Sequence, residues 1–376
     1  MSSVSRVVDE RMLRRALALA TLGSGTAAPN PCVGAVVARG DRVIGQGFHL
    51  RPGSPHAEAV ALLQVALSGQ NPRGATLYTN LEPCCHIGRT PPCVDEILRS
   101  GIARVVASMR DPNPRVDGGG VRALRLRGVQ VEVGLLKSEA MRLNQAFVKL
   151  CRTGIPWVTL KAAMSLDGRT ATRTGSSKWI TSASARRHAR LLRAEHQAIL
   201  AGIGTILADD PRLDRRPELP GAQPLLRVVL DSRLRLSTTS RLVESRSRGP
   251  ILVFCAPGAS ASKRRRLEAS GLEVQALPRR GGGGLDLKRA LRSLGARGIG
   301  SVLVEGGSEL HGSFLDRRLA DRLVLYLAPR ILGGHRALPL VGGTGSRLVE
   351  DALRLEDARW SEVGDGWLIE GSFPNL

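Results

Sequence analysis

One histidine, one glutamate and three cysteines early in the chain are of the types that bind and use zinc. His56 and Glu58 are separated by one residue, and Cys84, Cys85 and Cys93 follow. Zinc held by one imidazole and two thiolates keeps a fourth position open for water, which marks a catalytic site. The ion lowers the pKa of that water, and a nearby carboxylate can take the proton and return it to a departing amine. The pattern predicts a catalytic zinc site made by His56, Cys84 and Cys93, with Glu58 as the proton carrier.

The adjacent cysteines leave an alternative open. His56 and all three cysteines could form a closed structural zinc site without catalysis. Neighbouring side chains on an extended or turning backbone point in different directions, so either Cys84 or Cys85 is expected not to bind the ion. Zinc deaminases carry H-x-E followed by P-C-x-x-C, whereas here Pro83-Cys84 is followed by Cys93 nine positions later. The sequence therefore predicts a zinc-dependent deaminase with a long step between its two cysteine ligands.

Length and composition restrict the class of protein. A chain of 376 residues is expected to form two domains. Its net charge of +22 could attract a polyanion, but the arginines are spread over both halves and aromatic residues make up only 3%, so nucleic-acid binding is not expected. No apolar run is long enough for a membrane span. Cysteines without the spacing of a disulfide framework predict metal chemistry and a cytoplasmic protein.

Hydrophobic periodicity predicts the elements that position the zinc ligands. A first helix is expected to begin at Asp9 and to end by Gly23, and a helix is expected to begin at His56. The segments VGAVVARG and DRVIGQGF predict a hairpin, and the strands predicted after it are ATLYTNL, ARVVASM and VQVEVG. Further helices are predicted at Pro92–Ser100, Gly119–Arg127 and Ser138–Cys151. The first half is therefore predicted to be a layered α/β domain that ends near residue 152.

The second half repeats the alternation of strands and helices. The strands predicted there are WVTLKAAM, AILAG, LRVVLDS, PILVFCA, GSVLVEGG and DRLVLYLAP. No G-x-G-x-x-G follows a strand, so a Rossmann dinucleotide site is not supported. In VEGGSELHGS, Gly306 and Gly307 allow the backbone to approach a phosphate, and Ser308 is predicted to cap a helix whose N-terminal amides attract anions.

Several motifs together resemble one enzyme family. LEPCCHIGRTPPC, with PNPCVG, PHAEA and DPNP, is similar to the bifunctional riboflavin-biosynthesis deaminase/reductase family, and the long insert between Cys84 and Cys93 distinguishes that family from other zinc deaminases. In the second half, KAAMSLDGRTA, SKWITS, GTILADDPRL and LVEGGSEL resemble the reductase domain of the family, in the same order. The resemblance covers nearly the whole chain.

The resemblance implies a fold and a pair of reactions. Residues 1–152 are expected to form a cytidine-deaminase-like α/β/α layered domain, and residues 153–376 a dihydrofolate-reductase-like α/β domain. The first domain would use one zinc ion per chain to deaminate 2,5-diamino-6-(5-phosphoribosylamino)pyrimidin-4-one by hydrolysis. The second would use NADPH to reduce the ribosyl group to ribityl. A homo-oligomer is also expected, because reductase domains of this type often pair.

The resemblance assigns roles to residues of the first domain. His56, Cys84 and Cys93 match the zinc ligands and Glu58 the proton carrier, so Cys85 is set aside. The positions that match substrate contacts are Asn30, His86, Arg89 and Asp111. An amide can read a pyrimidine edge, and His86 and Arg89 can face a phosphate. As alternatives, Asn30 between two prolines only shapes a turn, and Arg89 is solvated.

The resemblance assigns roles in the second domain as well. Lys161, Asp209 and Glu305 match polar positions at the catalytic centre. The substrate contacts by resemblance are Ser177, Arg193, Leu213, Arg216 and Glu305, and the two arginines would suit the ribose phosphate. The cofactor contacts by resemblance are Ala163, Trp179, Thr205, Asp209, Ser232, Gly307, Ser308, Glu309, Leu310, His311, Gly312 and Ser313. As alternatives, Trp179 belongs to the core, and either arginine is a surface charge. Asp167 and Asp210 are predicted to stabilise turns.

Two other functions compete with a small phosphorylated pyrimidine as substrate. The charge motivates a deaminase that acts on RNA, and a zinc module without catalysis could bind nucleic acid. The reductase motifs count against the RNA substrate, and metal analysis would test the non-catalytic zinc module.

Overall fold

The chain folds into two compact units. The computed structural model describes residues 3–88, 91–215, 218–279 and 284–374. The first unit is Met1–Gly154 with Pro220–Gln223, and the second is Ile155–Leu219 with Pro224–Leu376. The units divide after Gly154, two residues beyond the predicted position. In the described residues, no helix combines the length and the apolar character that crossing a membrane requires.

The first unit is built on a mixed β-sheet. Its strands are β1 (Gly34–Arg39), β2 (Arg42–Phe48), β3 (Thr76–Thr79), β4 (Arg104–Ala107) and β5 (Gln130–Val133). Its helices are α1 (Ser3–Thr21), α2 (Ala57–Leu67), α3 (Cys93–Ser100), α4 (Gly119–Leu126), α5 (Lys137–Leu143) and α6 (Gln145–Thr153). The strand order is β2-β1-β3-β4-β5; β1 is antiparallel to β2 and β3, whereas β3, β4 and β5 are parallel. The predicted hairpin and the three strands after it are confirmed.

Helices cover both faces of this sheet. Alternate side chains of a strand point to opposite faces, and the two faces bury separate cores. Val37 and Leu77 belong to one core with Ala61 of α2, and Val36 and Tyr78 belong to the other with residues of α1. The predicted α/β/α layering is therefore confirmed.

The prediction that Asp9 begins the first helix is wrong. Helix α1 begins at Ser3, and Asp9 lies inside it with 2% of its surface exposed. Its carboxylate accepts a hydrogen bond from Tyr78 Oη at 2.9 Å and two from the Arg104 guanidinium at 2.8 and 2.7 Å. The carboxylate therefore links α1 to strands β3 and β4 instead of capping a helix.

The predicted continuous helix from Ser138 to Cys151 is also wrong. Two helices, α5 and α6, occupy this stretch and are separated at Asn144. The Asn144 side chain forms no cap with its own helix and bonds to the backbone of Cys32 instead. A contact made so far along the chain has no signature in local periodicity.

The second unit contains a larger mixed sheet. Its strands are β6 (Trp157–Ser165), β7 (Arg169–Ala171), β8 (Ala198–Gly202), β9 (Leu226–Leu230), β10 (Ile251–Cys255), β11 (Glu273–Ala276), β12 (Ser301–Glu305), β13 (Arg322–Ala328), β14 (Leu338–Pro339), β15 (Glu356–Val363) and β16 (Gly366–Ser372). Its helices are α7 (Ala183–Leu191), α8 (Ile203–Asp209), α9 (Arg241–Glu244), α10 (Ala261–Ala269), α11 (Leu287–Ala296) and α12 (Ser308–Leu315). All six predicted strands are confirmed, whereas β7, β11, β14, β15 and β16 were not predicted.

The strand order of the large sheet is β11-β10-β9-β8-β12-β6-β13-β16-β15, and β7 pairs with β14 apart from it. The strands from β11 to β13 run parallel, and β16 and β15 complete the sheet in antiparallel pairing. Separate hydrophobic cores lie on its two faces, one with α11 and α12 and the other with α8 and α10. Parallel strands buried on both faces read as continuous apolar runs, which is why they were predictable.

Candidate functional site

Three predicted zinc ligands come together in the first unit. His56 is the residue that precedes α2, Cys84 lies in the loop after β3, and Cys93 is the first residue of α3. His56 Nδ1 lies 3.1 Å from Cys93 Sγ and 3.5 Å from Cys84 Sγ. The three donor atoms all lie within 4.8 Å of one another. One imidazole and two thiols, carried by two helix starts and one loop, thus lie close together.

These donors fit zinc in both spacing and chemistry. Zinc–sulfur and zinc–nitrogen bonds in a tetrahedral site place a ligand nitrogen about 3.5 Å from a ligand sulfur. The distance of 3.5 Å to Cys84 Sγ equals this value, and the distance of 3.1 Å to Cys93 Sγ needs only a small adjustment. A hydrogen bond from Cys93 and the neighbouring imidazole of His56 lower the pKa of Cys84 to about 4, which favours the thiolate that binds a metal.

The buried carboxylate of Glu58 lies beside these donors. Glu58 occupies the first turn of α2 with 3% of its surface exposed, and its Oε2 lies 3.5 Å from Cys93 Sγ. Burial, with the charge of Cys84 next, raises the pKa of Glu58 to about 7. A carboxyl group with a pKa near neutrality can both accept and donate a proton at that pH.

A cavity of about 340 Å³ opens onto the donors and Glu58. Its walls include Asn30, His86 and Asp111, three of the four predicted substrate contacts of this unit. Burial raises the pKa of Asp111 to about 6. The Nδ1 atom of His86 is buried without a hydrogen-bond partner in the described residues, so it is available to a ligand. Arg89, the fourth predicted contact, lies outside the described residues.

Sequence reasoning missed His49 and Glu82, which also line this cavity. His49 Nε2 lies 2.9 Å from Asn30 Nδ2, and its ring meets the His56 ring edge-on. The Glu82 carboxylate accepts from the backbone N–H groups of Asp111, Gly118 and Val121 and so holds one wall of the cavity. Glu82 stands directly before Pro83-Cys84, and that position was the signal that could have found it.

Cys85 is not part of the group of three donors. Its Sγ would lie 2.9 Å from a Cβ atom built on Gly119, at the start of α4. Burial raises its pKa, which disfavours the thiolate. Cys85 therefore packs beside the start of α4 and against the core of this unit.

In the second unit, the predicted cofactor positions follow the carboxyl ends of adjacent parallel strands. Strands β9, β8, β12 and β6 are neighbours in the sheet. Ser232 follows β9, Thr205 and Asp209 follow β8 on α8, and Gly307 follows β12. Ala163 lies on β6 itself. Ligands of open α/β sheets bind at this edge, so the sheet gathers the predicted positions where a cofactor is expected.

An ion pair stands at the same edge. Glu305 ends β12 opposite Lys161 of β6, and the Arg193 guanidinium donates to both Glu305 carboxylate oxygens at 2.9 Å. Burial alone would raise the pKa of Glu305, but the charges of Arg193 and Lys161 lower it to about 2. Arg193 also donates to the Asp214 carbonyl oxygen. All three guanidinium nitrogens of Arg193 are thus engaged within the protein, and its predicted contact with substrate phosphate stays a prediction.

The prediction that Ser308 caps the helix after β12 is wrong. Gly307 is the residue before α12, and Ser308 is its first helical residue. Ser308 Oγ and His311 Nε2 are buried without a hydrogen-bond partner in the part of the chain that the structure describes. Burial lowers the pKa of His311 to about 4, so this side chain is neutral. Two unpaired polar atoms at the start of a helix suit a ligand that brings its own donors and acceptors.

The remaining predicted contacts of this unit lie in different surroundings. Lys178 Nζ lies 3.5 Å from Asp209 Oδ1, next to Ser177. Trp179 is 59% exposed with the Arg186 guanidinium 4.2 Å above its ring, so the alternative of a core tryptophan is wrong. Leu213 is buried and its backbone has a φ of 52°. Arg216 lies outside the described residues.

Of the two carboxylates predicted to stabilise turns, Asp167 has a local contact and Asp210 a contact far along the chain. Asp167 accepts from Ser165 Oγ and from the backbone N–H groups of Leu332 and Gly333. Asp210 accepts from the backbone N–H of Arg241 at 2.9 Å. The turn role predicted for Asp210 therefore stays a prediction.

Comparison with known proteins gives matches to both units. Residues 6–109 match the family described as the cytidine and deoxycytidylate deaminase zinc-binding region, and residues 156–369 match the RibD C-terminal domain. A riboflavin biosynthesis protein RibD from Bacillus amyloliquefaciens is 42% identical over 359 residues, which is 95% of this chain and 94% of that protein.

Solved structures resemble the whole chain. Form 1 of RibD from Acinetobacter baumannii has a TM-score of 0.89 at 34% identity, with 98% of this chain and 100% of that chain covered. A diaminohydroxyphosphoribosylaminopyrimidine deaminase/5-amino-6-(5-phosphoribosylamino)uracil reductase from Thermotoga maritima has a TM-score of 0.84 at 35% identity, with 98% and 99% covered. Both units are therefore found together in these relatives.

Proposed function

We propose, from the premise that this chain belongs to the RibD family of riboflavin biosynthesis proteins, that its two units act in turn on one phosphorylated pyrimidine. Relatives match at 42% identity across 95% of the chain, and each unit matches its own family. The chain is accordingly a bifunctional enzyme with a zinc-dependent deaminase and an NADPH-dependent reductase. No relative supports the alternative of an RNA substrate.

The proposed first substrate is 2,5-diamino-6-(5-phosphoribosylamino)pyrimidin-4-one. The product of its hydrolytic deamination would be the substrate of the second unit, which reduces the ribosyl group to ribityl. The name of the Thermotoga maritima relative pairs the same two activities. The observation that carries the proposal is the group of His56, Cys84 and Cys93 beside Glu58, at the wall of a cavity of about 340 Å³.

The proposed deamination uses the side chains around that cavity. Zinc held by His56, Cys84 and Cys93 supplies Lewis acidity. Glu58 takes a proton from the attacking water and returns it to the departing amine, so that one water is consumed and one ammonia released. Asn30 reads the pyrimidine edge. In this proposal the other substrate contacts are His86, Arg89 and Asp111.

The proposed reduction takes place at the carboxyl ends of β6, β8, β9 and β12. When bound there, NADPH would supply a hydride for the sugar carbon that forms an imine on ring opening, and a proton would be supplied to the imine nitrogen. By resemblance, the polar groups of this catalytic centre are Lys161, Asp209 and Glu305. In the proposal the substrate contacts are Ser177, Arg193, Leu213 and Arg216, and the cofactor contacts are Ala163, Trp179, Thr205, Ser232 and residues 307–313.

One assay of the intact chain tests the proposal. Ammonia release from the diamino substrate is followed first, and the loss of NADPH absorbance second. Glu58→Gln is expected to keep its zinc and to lose deamination by a factor of about 10² to 10⁴, because only the proton transfer is removed. It should still oxidise NADPH at the normal rate when given the deaminated substrate.

The matched control is Glu139→Gln, which makes the same change at an exposed position of α5. This variant should keep both activities. Normal ammonia release by Glu58→Gln would disprove the proton role, and absence of ammonia release by the unaltered chain would disprove the proposed substrate.

A homo-oligomer and a location in the cytoplasm stay predictions. Size measurement in solution tests the first, and cell fractionation tests the second. The content of one zinc ion per chain is tested by metal analysis of the purified protein.

A further inference from the structure

Two buried asparagines hold the backbone of Cys32 beside the deaminase cavity. Asn144 Oδ1 accepts from the Cys32 backbone N–H at 2.8 Å, and Asn144 Nδ2 donates to the Cys32 carbonyl oxygen at 3.0 Å. Asn80 Nδ2 donates to the same carbonyl at 2.9 Å, and Asn80 Oδ1 accepts from the Gly34 N–H at 2.8 Å. The backbone around Cys32 is therefore fixed from two sides by four hydrogen bonds.

The Asn144 side chain contacts Cys32 and does not cap the helix that follows it. It stands between α5 and α6, where its side chain could cap the second helix, but no side-chain cap is present. It is 3% exposed, and Asn80 is fully buried. A buried amide that pairs its donor and its acceptor with the backbone C=O and N–H of one residue cannot be replaced by an acid or an apolar residue without leaving a polar group unpaired.

The segment that these amides hold forms one wall of the cavity. Asn30, Pro31 and Val33 line the cavity on either side of Cys32. The Val33 carbonyl accepts from the His49 N–H at 2.9 Å. The backbone of Cys32 is thus part of a short framework whose two ends carry Asn30 and His49.

Asn30 and His49 are oriented by each other. An amide nitrogen only donates, so Asn30 Nδ2 donates to His49 Nε2 at 2.9 Å, and His49 Nδ1 donates to the Pro55 carbonyl at 3.2 Å. This arrangement uses one N–H of Asn30. Its Oδ1 and its second N–H have no partner within the described residues and remain for a ligand in the cavity. An amide so presented matches the donor and acceptor pair on the edge of a pyrimidine.

We propose that Asn144 is a positioning residue for deamination, which acts through Cys32 to place Asn30 against the pyrimidine ring of the substrate. The inference rests on the proposed function of the first unit. Asn144 does not touch the zinc ligands or Glu58 in the hydrogen bonds above, so the proton transfer itself does not depend on it. Its effect is therefore expected in substrate binding and not in the chemical step.

The test is the Asn144→Asp variant of the full chain, assayed for ammonia release over a range of substrate concentrations. The carboxylate keeps the acceptor for the Cys32 N–H but turns an acceptor toward the Cys32 carbonyl, so the segment must move. KM for deamination is expected to rise about tenfold with kcat within about twofold, since a lost buried hydrogen bond weakens ground-state and transition-state binding alike. Zinc content and the NADPH-dependent step with deaminated substrate should not change.

Asn71→Asp is the matched control, because it makes the same substitution at an exposed loop of the same unit, where the side-chain oxygen accepts from the Arg73 N–H. Both kinetic constants of this control should equal those of the unaltered chain. If Asn144→Asp lost its fold, Asn144→Ser would replace it, since Ser removes the paired contact without adding a charge.

Each outcome decides the inference. A raised KM with retained zinc and kcat supports it. An unchanged KM, a fall in kcat alone, or loss of zinc in both Asn144 variants overturns it, because the amide would then serve the fold or the chemistry and not the substrate. Absence of deamination by the unaltered chain would instead disprove the proposed function, so the two failures are distinguishable.

Discussion

The ion pair of Arg193 and Glu305 gives a prediction whose size follows from the structure. Each side chain is 15% exposed, and the two are joined by parallel hydrogen bonds of 2.9 Å. At about 1.4 kcal/mol per pH unit, a pKa of Glu305 lowered from 4.5 to about 2 corresponds to about 3 kcal/mol. Removing one partner of a buried pair costs about 3 to 5 kcal/mol by an independent route. Glu305→Gln is therefore expected to destabilise the second unit by about 3 kcal/mol.

The tryptophans allow this unit to be observed alone. All four lie in the second unit, at positions 157, 179, 360 and 367. Urea unfolding of the full chain, followed by tryptophan fluorescence, should show an earlier midpoint for Glu305→Gln than for the unaltered chain. Glu350→Gln is the control, because this glutamate is exposed. In the same preparation, Glu305→Gln should lose NADPH oxidation and keep ammonia release.

The pH dependence of this difference has a definite sign. The folded-state pKa of Glu305 is below its unfolded value, so its contribution to stability is complete above a pH of about 4.5 and is lost as the pH falls toward about 2. The gap between Glu305→Gln and the unaltered chain should therefore be full at pH 7 and close in acid. Adding Arg193→Gln to the variant should restore part of the stability, because no unpaired charge remains buried.

An unfolding midpoint of Glu305→Gln equal to that of Glu350→Gln would refute the reasoning. The reasoning would also be refuted if Arg193→Gln lowered the free energy of unfolding of the Glu305→Gln variant further instead of restoring part of it. Either result would mean that the pair does not carry the free energy that its burial and geometry imply.

Two further predictions concern the cofactors. Removal of zinc by a chelator should abolish ammonia release and leave NADPH oxidation with the deaminated substrate unchanged, because the three donors lie in the first unit alone. Added zinc should restore ammonia release. Equal loss of both activities would contradict separate sites. Gly312→Ala should raise KM for NADPH about tenfold or more, since a Cβ there would lie 2.1 Å from the Gly342 carbonyl oxygen and must displace the start of α12 or the facing loop. Gly258→Ala, where a Cβ meets nothing within 4 Å, is its control, and a KM equal to that of the control would show that the close approach has no bearing on the cofactor.

The local sequence pattern was sufficient to predict much of the fold. The hairpin, the parallel strands and the start of α2 directly after His56 follow from periodicity, because each is a short stretch whose burial depends on its own side chains. The helix start assigned to Asp9 and the cap assigned to Ser308 were wrong for a common reason. Both residue types favour helix starts locally, but here Asp9 has a better partner in Arg104 on another strand, and Gly307 already precedes the helix.

The sequence by itself determined the chemistry available to this protein. One imidazole, two thiols and a carboxylate at characteristic spacing predict zinc-assisted deamination. The helix or loop that carries each of these residues also sets the direction of its side chain. Only the tertiary structure decided which groups support that chemistry. Asn144 reaches Cys32 across 112 residues, and Arg193 reaches Glu305 across the same separation. Contacts of this kind have no signature in the local sequence pattern. They depend on how the sheets and helices pack, and not on the stretch of chain between the two residues.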